Sequence, residues 1–301
     1  MASTSGKQKI LSPESFKNIS KLGLRAREVV EGFSAGLHKS RAFGQNVEFA
    51  EFREYTKGDD IKHIDWKVYA RTDRYYIKQF EEETAMKAYL LIDTSNSMGY
   101  ATNPRAQSKL VYSMNLAAAL AYLLVKQNDS VGLASFSGHL QKFIPPRSSP
   151  QHLTEIWKTL EGIEAEGPTN IPQILHILAN SMKKRGLLIL LSDLYDHPME
   201  IIRGLSHFRH KKFEVIVFHV MDHDELDFPF KGNFKFHDME TGDITECSAR
   251  SIRSAYLEEI NRFIEFIREG CFRANIDYCL LDTATPVDLA LYKYLSHRRG
   301  M

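Results

Sequence analysis

Apolar runs alternate with helical patterns along most of this chain, and that rhythm limits the fold more than any other feature. The runs are "KAYLLID" (Lys87 to Asp93), "SVGLASF" (Ser130 to Phe136), "GLLILLSD" (Gly186 to Asp193), "FEVIVFHVMD" (Phe213 to Asp222) and "IDYCLLD" (Ile276 to Asp282). Strands that are apolar on both faces belong to sheets covered on both sides. Helical segments intervene: Arg105 to Lys126, one opened by the Ser149-Pro150 cap, Ile171 to Lys184, Met199 to Arg209, Ser251 to Glu269, and Pro286 to His297. Strand–helix alternation of this kind predicts an α/β fold with a doubly wound, mostly parallel sheet and right-handed crossovers. "LQKFI", Leu140 to Ile144, reads as a short edge strand after a Ser-Gly turn.

The part before the sheet has a different texture. Residues 1–11 read as a disordered tail. Residues 12–84 read as a helix, with Ile19, Leu22, Val29, Val30 and Phe33 near one face, followed by a small strand-rich unit. The sheet domain then occupies residues 85–301, with a hairpin insertion near 232–247, "GNFKFHDMETGDITE". The 301 residues are 43% hydrophobic and carry a net charge of +1, enough apolar material for a core and no global pull toward nucleic acid or anionic lipid. The longest uncharged run, Leu110 to Val125, falls short of the roughly 18 to 20 residues that a membrane span needs. It reads as a buried helix, and no membrane span is expected. Cys247, Cys271 and Cys279 lack metal-ligand spacing and suit a reducing compartment. With no apolar signal-peptide core in "MASTSGKQKI", the expectation is a cytoplasmic protein.

The first sheet strand ends abruptly in "LLIDTSNSMGY". Asp93, Ser95 and Ser97 follow one another at every second position. In wound sheets, ligands sit beyond the carboxyl ends of the strands. A loop leaving the strand there can gather one carboxylate and two neutral hydroxyls. That oxygen-only set suits a hard divalent cation, Mg²⁺ first, with Mn²⁺ and Ca²⁺ as further oxygen-seeking choices. Two other loops join in: "GPTN" places Thr169 before a helix, and "LLILLSD" delivers Asp193 at a strand end. The candidate metal ligands are therefore Asp93, Ser95, Ser97, Thr169 and Asp193.

These residues resemble the metal-ion-dependent adhesion site of the von Willebrand factor type A domain, with its Asp-x-Ser-x-Ser, distant Thr and distant Asp. "FREYTKGDDIKHIDWKVYARTDRYYIKQFEEE", Phe52 to Glu83, resembles in turn the signature of the bacterial domain of unknown function fifty-eight family. Arg53-Glu54-Tyr55, Gly58-Asp59-Asp60, Ile64-Asp65-Trp66 and Ala70-Arg71 carry that likeness, and "MDHDELDFPFKGNFKFHDMETG" extends it. The resemblance implies a protein-binding module that leaves a metal coordination position open for an acidic side chain of a protein partner. It also implies an association with MoxR-type AAA+ ATPases.

Blander readings stand beside these. Asp93, Ser95 and Ser97 also fit a structural turn, the carboxylate accepting backbone N–H bonds and the serines capping the next helix. Gly58-Asp59-Asp60 fits a tight turn paired with Arg53, Arg71 or Arg74, a second metal site, or part of a hydrolytic centre. Trp66 and Tyr55 read as packing residues. His207, His210, His219 and His223 have spacings that zinc could use, but nothing completes a motif. Neither a phosphate-binding glycine loop nor a Gly-x-Ser-x-Gly elbow is present. The expected function is a metal-dependent, non-enzymatic adaptor. The alternatives are a Mg²⁺-dependent phosphohydrolase using Asp93, or a scaffold with a vestigial metal site. Against the phosphohydrolase, Ser95 stands where a second aspartate is usual.

Overall fold

The computed structural model describes residues 26, 30, 52–56, 66–78, 86–102, 106–182 and 185–298. The chain divides into two compact units, one comprising residues 36–85 and the other residues 1–35 with 86–301.

In the smaller unit, β1 (Phe52–Glu54) pairs antiparallel with β2 (Tyr76–Lys78), and α1 (Trp66–Thr72) lies between them in sequence. The expectation of strands is met at β1 and β2, whereas α1 falls in a stretch that had no helical assignment. Trp66 and Tyr69, one helical turn apart, meet edge to face at 6.1 Å between ring centroids, and Tyr69 stacks on Tyr75 at 4.5 Å. Tyr55 joins the stack through Tyr75 at 6.2 Å. Trp66 remains mostly exposed. The Gly58-Asp59-Asp60 cluster and the 1–11 tail lie outside the described residues.

The larger unit holds a six-stranded sheet. Its strands are β3 (Lys87–Asp93), β4 (Ser130–Phe136), β5 (Leu140–Arg147), β6 (Leu187–Ser192), β7 (Glu214–Met221) and β10 (Asp277–Asp282), in the order β10-β7-β6-β3-β4-β5. Every neighbouring pair is parallel except β4 and β5. This is the expected α/β sheet, wound in two directions from β3. Alternate side chains feed two cores. Ala88, Leu90 and Ile92 face a layer that contains α2 (Lys109–Lys126), α3 (Pro150–Glu161) and α8 (Val287–Arg298). Tyr89 and Leu91 face α4 (Ile171–Ser181), α5 (Pro198–His210) and α7 (Ala249–Arg273). Ala26 and Val30, helical residues expected to belong with the small N-terminal unit, are buried in the first of these cores.

Helix α2 is the apolar run that composition could have mistaken for a membrane span. It is 72% buried, packed within the first core, and Trp157 Nε1 of α3 donates to the Ala118 carbonyl at 3.3 Å. The Ser149 hydroxyl caps α3 by accepting from the His152 amide, as the Ser-Pro pair predicts. β5 runs three residues past its expected end, through Pro145 and Pro146. An edge strand tolerates proline because one side of it has no ladder to fill. Gly132 of β4 makes room for that irregular stretch, since a Cβ there would lie 2.7 Å from the Ile144 carbonyl oxygen. The insertion is an antiparallel hairpin, β8 (Asn233–His237) with β9 (Ile244–Ser248). A short helix, α6 (His223–Asp227), precedes it and was not foreseen.

Candidate functional site

β3 sits at the middle of the sheet, with β4 on one side and β6 on the other. The connection from β3 leads to β4 and that from β6 leads to β7, in opposite directions, so a crevice opens between the carboxyl ends of β3 and β6. Asp93 closes β3 and is fully buried. Its Oδ1 accepts from the Ser95 amide at 2.9 Å, and its Oδ2 accepts from the Ser192 hydroxyl at 2.6 Å. The turn reading of Asp93 is thus satisfied in part, since a backbone N–H does bind the carboxylate. The serines, however, do not cap the following 3₁₀ turn: Ser95 makes no side-chain cap bond there. Instead the Ser95 and Ser97 hydroxyls face each other at 3.1 Å.

Backbone bonds fasten the neighbouring loops to this one. Thr94 donates its amide and hydroxyl to the Phe136 carbonyl at 2.7 and 2.8 Å. Asn96 donates to the Gly167 carbonyl at 2.8 Å, and Glu166 donates to the Thr94 carbonyl at 2.7 Å. The Gly167–Thr169 loop is therefore clamped against the Asp93–Ser97 loop. Among the described residues, Thr169 Oγ1 is buried with no hydrogen-bond partner. A buried hydroxyl without a partner is costly and calls for an explanation such as an ion. Asp93, Ser95, Ser97 and Thr169 thus fit a hard divalent cation: they are oxygen donors from two clamped loops, and one of them has no other partner among the described residues.

Asp193 is placed differently. It is fully buried, and its Oδ2 accepts from Lys109 Nζ at 2.8 Å. Lys109 in turn donates to Glu225 Oε1 at 2.7 Å, beneath the Tyr195 and Tyr100 rings. An ammonium at the first position of a helix opposes the helix dipole, so its partners must hold it there. Burial alone would favour the neutral amine, but the Asp193 and Glu225 carboxylates outweigh it and raise the Lys109 pKa. Asp193 joins the other four candidates chiefly through its charge. Burial first, and then the Asp193 carboxylate, push Asp93 up to about 7.

Sequence reasoning missed Lys109, Ser192, Glu225 and Glu240. Glu225 had a legible signal: Asp222-x-x-Glu225 is a capping box, and both of its bonds form at the start of α6. Glu240 lies at the tip of the β8–β9 hairpin. Its Oε2 accepts from the Thr169 amide at 3.3 Å, while its Oε1 is buried without a partner among the described residues. Burial raises its pKa, the Thr169 amide opposes the rise, Asp193 adds to it, and Ser97 opposes it. A cleft of about 990 Å³ continues from this point, lined by Ser97, Tyr195, Glu225, Phe228, Phe236 and Glu240 among others.

The histidines form no metal centre among the described residues, where no three His, Cys, Asp or Glu side chains gather as a ligand cluster. His219 is buried in β7, bonded through Nδ1 to the Tyr278 hydroxyl at 2.7 Å, and burial lowers its pKa to about 4.

A family model described as "Protein of unknown function DUF58" matches residues 51–263. Uncharacterized proteins of Mycobacterium tuberculosis and Mycobacterium bovis are 25% identical over 231 residues, which is 75% of this chain and 71% of theirs. Among solved structures, the chain is similar to the conserved hypothetical protein BatB from Bacteroides thetaiotaomicron (17% identity, TM-score 0.47, covering 72% of this chain and 100% of that one). It is also similar to an aerotolerance-related membrane protein from Bacteroides fragilis (19%, 0.48, 72% and 100%). The SpRpn10 VWA domain matches at 9% identity and a TM-score of 0.41, covering 71% of this chain and 95% of that one. The strand order and the single antiparallel edge strand described above are those of a von Willebrand factor A-like α/β fold.

Proposed function

The chain belongs to the family described as protein of unknown function DUF58, and from that premise we propose that it is a metal-dependent protein-binding adaptor rather than an enzyme. Asp93, Ser95, Ser97 and Thr169 would hold a divalent cation, Mg²⁺ first, with Asp193 contributing its charge from the Lys109 side. The cation supplies a Lewis-acidic position that a carboxylate of a protein partner completes. The observation that carries this reading is the unpaired, buried Thr169 Oγ1 clamped beside the Asp93–Ser97 loop. Few charged ligands around such an ion leave it electrophilic toward an outside acid. The partner we propose for the cytoplasm is a MoxR-type AAA+ ATPase acting on client proteins.

Ser95 favours this over phosphoryl transfer, because it stands where such a site usually carries a second aspartate. Capture of such an ATPase by the purified chain, with Mg²⁺ and then with chelator, tests the proposal. Binding should be lost in chelator and in Asp93→Ala, with the far-ultraviolet circular dichroism unchanged. Equal recovery with and without chelator overturns the metal-dependent reading. A thermal midpoint that does not move over a Mg²⁺ or Mn²⁺ titration would favour the scaffold instead, because an ion specific to the folded state must raise its stability.

A further inference from the structure

The open side of the cation site is not open in this structure. The hairpin tip covers it, and the covering residue is an acid. Asp238 builds the tip by accepting from the amides of Glu240 and Thr241 at 2.8 and 2.9 Å. The tip closes where Gly242 donates to the Asp238 carbonyl at 3.0 Å and takes a φ of +79°, a conformation that glycine adopts without strain. This turn presents Met239 and Glu240 to the sheet rim. A Cβ on Gly99, in the turn after Ser97, would lie 3.7 Å from the Met239 terminal methyl. Glu240 reaches the other loop, at the Thr169 amide. The tip therefore touches both loops that carry the candidate ligands.

What Glu240 meets there is chemically specific. Its Oε1 is buried without a partner, and so is Thr169 Oγ1 on the residue whose amide Glu240 binds. Two unpaired buried oxygens, one a carboxylate's, sit on neighbouring residues beside Ser97. The nearby charges are of its own sign: Asp193 acts on Glu240, and Asp193 acts on Asp93. Lys109 offers no relief, because its ammonium is spent on Asp193 and Glu225. A carboxyl group brought to such a place either holds a proton or shares a cation with the other oxygens, and a partner-free hydroxyl beside it suits the cation.

We propose that Glu240 is this chain's own occupant of the ligand position at the Asp93–Ser95–Ser97–Thr169 site, so that the hairpin must move away before a partner's carboxylate can enter. This rests on the reading of that site as a cation site. It turns the hairpin into a built-in competitor: the same chemistry that captures a partner holds the tip closed without one. The hairpin is suited to such movement, because β8 and β9 are exposed along most of their length. Near the tip end of β8, Phe236 stacks on Phe228 with ring centroids 5.8 Å apart, a contact that involves no ligand residue.

Mn²⁺ binding to the full chain provides the test, with free ion read by electron paramagnetic resonance and bound ion by water-proton relaxation. Glu240→Ala should weaken Mn²⁺ binding about tenfold, since ligand charge sets affinity. It should also raise the relaxivity of the bound ion, because water enters the vacated position. Millimolar acetate should then lower the relaxivity of Glu240→Ala and leave the unaltered protein unchanged. Glu240→Gln, which keeps the shape of the tip, should follow Glu240→Ala in affinity. Wild-type affinity and relaxivity in both variants, with Asp93→Ala abolishing binding, would overturn the role of Glu240 and spare the cation site. Absence of Asp93-dependent Mn²⁺ binding to the unaltered protein would remove the cation site and this inference together.

Discussion

The interior of the sheet and its carboxyl rim are built on different principles. Leu90, Leu91 and Ile92 are completely buried among side chains of their own kind. Their requirement is volume and apolarity, which several residues could meet. One position further along the same strand, Asp93 is equally buried, but each of its oxygens has a named partner. Asp193, Lys109 and Glu225 continue that pattern, whereas Thr169 Oγ1 is buried with no partner among the described residues. In the core, burial is the stabilising event. At the rim, burial is a cost that only a matched partner offsets.

Removing Lys109 should break this contrast most severely. Lys109→Met keeps the apolar stem and deletes the ammonium, leaving Asp193 and Glu225 buried without a counter-charge. Breaking one side of a buried pair costs about 3–5 kcal/mol. Leu190→Ala, in the wholly buried β6, should cost a similar ~2–5 kcal/mol by leaving a cavity. Mg²⁺ separates the two. In thermal or urea unfolding, millimolar Mg²⁺ should recover part of the loss in Lys109→Met, because a cation can stand in for the missing ammonium. It should do nothing specific for Leu190→Ala. Equal Mg²⁺ responses would mean that the rim charges are not coupled to a cation.

The same contrast explains what could be read from the residues alone. β3 and β4 have the limits expected of them, because runs apolar on both faces have one physical use. The capped start of α3 was equally legible. β5 runs on to Arg147, because the edge position expected of it also admits Pro145 and Pro146. At the rim, Asp93, Ser95 and Ser97 share one loop, and Thr169 and Asp193 lie where strand and helix boundaries put them. Lys109 was invisible, because a lone lysine in the first turns of the helix expected from Arg105 reads as a surface residue. Its burial depends on Asp193 and Glu225, which are 84 and 116 residues away. Glu240 was hidden for the same reason, since nothing within the hairpin says which surface its tip meets.

A smaller effect sharpens the comparison through pH. Asp93 has an ordinary value of 3.8 and is raised to about 7 in the folded chain by burial and Asp193. Between those limits the folded state holds a proton that the unfolded chain releases. Without divalent ions, this group therefore makes stability fall as pH rises from about 4 to about 7. A cation must displace that proton. Mn²⁺ affinity should rise about tenfold, or ~1.4 kcal/mol, per pH unit below about 7 and flatten above it. Calorimetric titrations at about pH 5.5, 6.5 and 7.5, on either side of the upper limit, would check the slope. A flat profile would show that Asp93 is already ionised before the metal arrives.

The smallest effect concerns the hairpin strands, which bear on the rim without belonging to the core. Lys235 and Glu246 pair across β8 and β9 at 2.5 Å, with both side chains 65% exposed. An exposed pair of this kind contributes about 0.2–1 kcal/mol, reduced further by salt. Lys235→Ala should hardly change the thermal midpoint of the whole chain, because neither partner is taken out of water. Its effect should appear instead in amide exchange of the hairpin, where a weaker strand pair opens more often. Faster exchange confined to residues 233–248, with the amides of β3 and β6 unchanged, would show that the segment carrying Glu240 fluctuates independently of the sheet it covers. Slowed or unchanged exchange there would tie the hairpin to the core and remove the mechanical difference between the two regions.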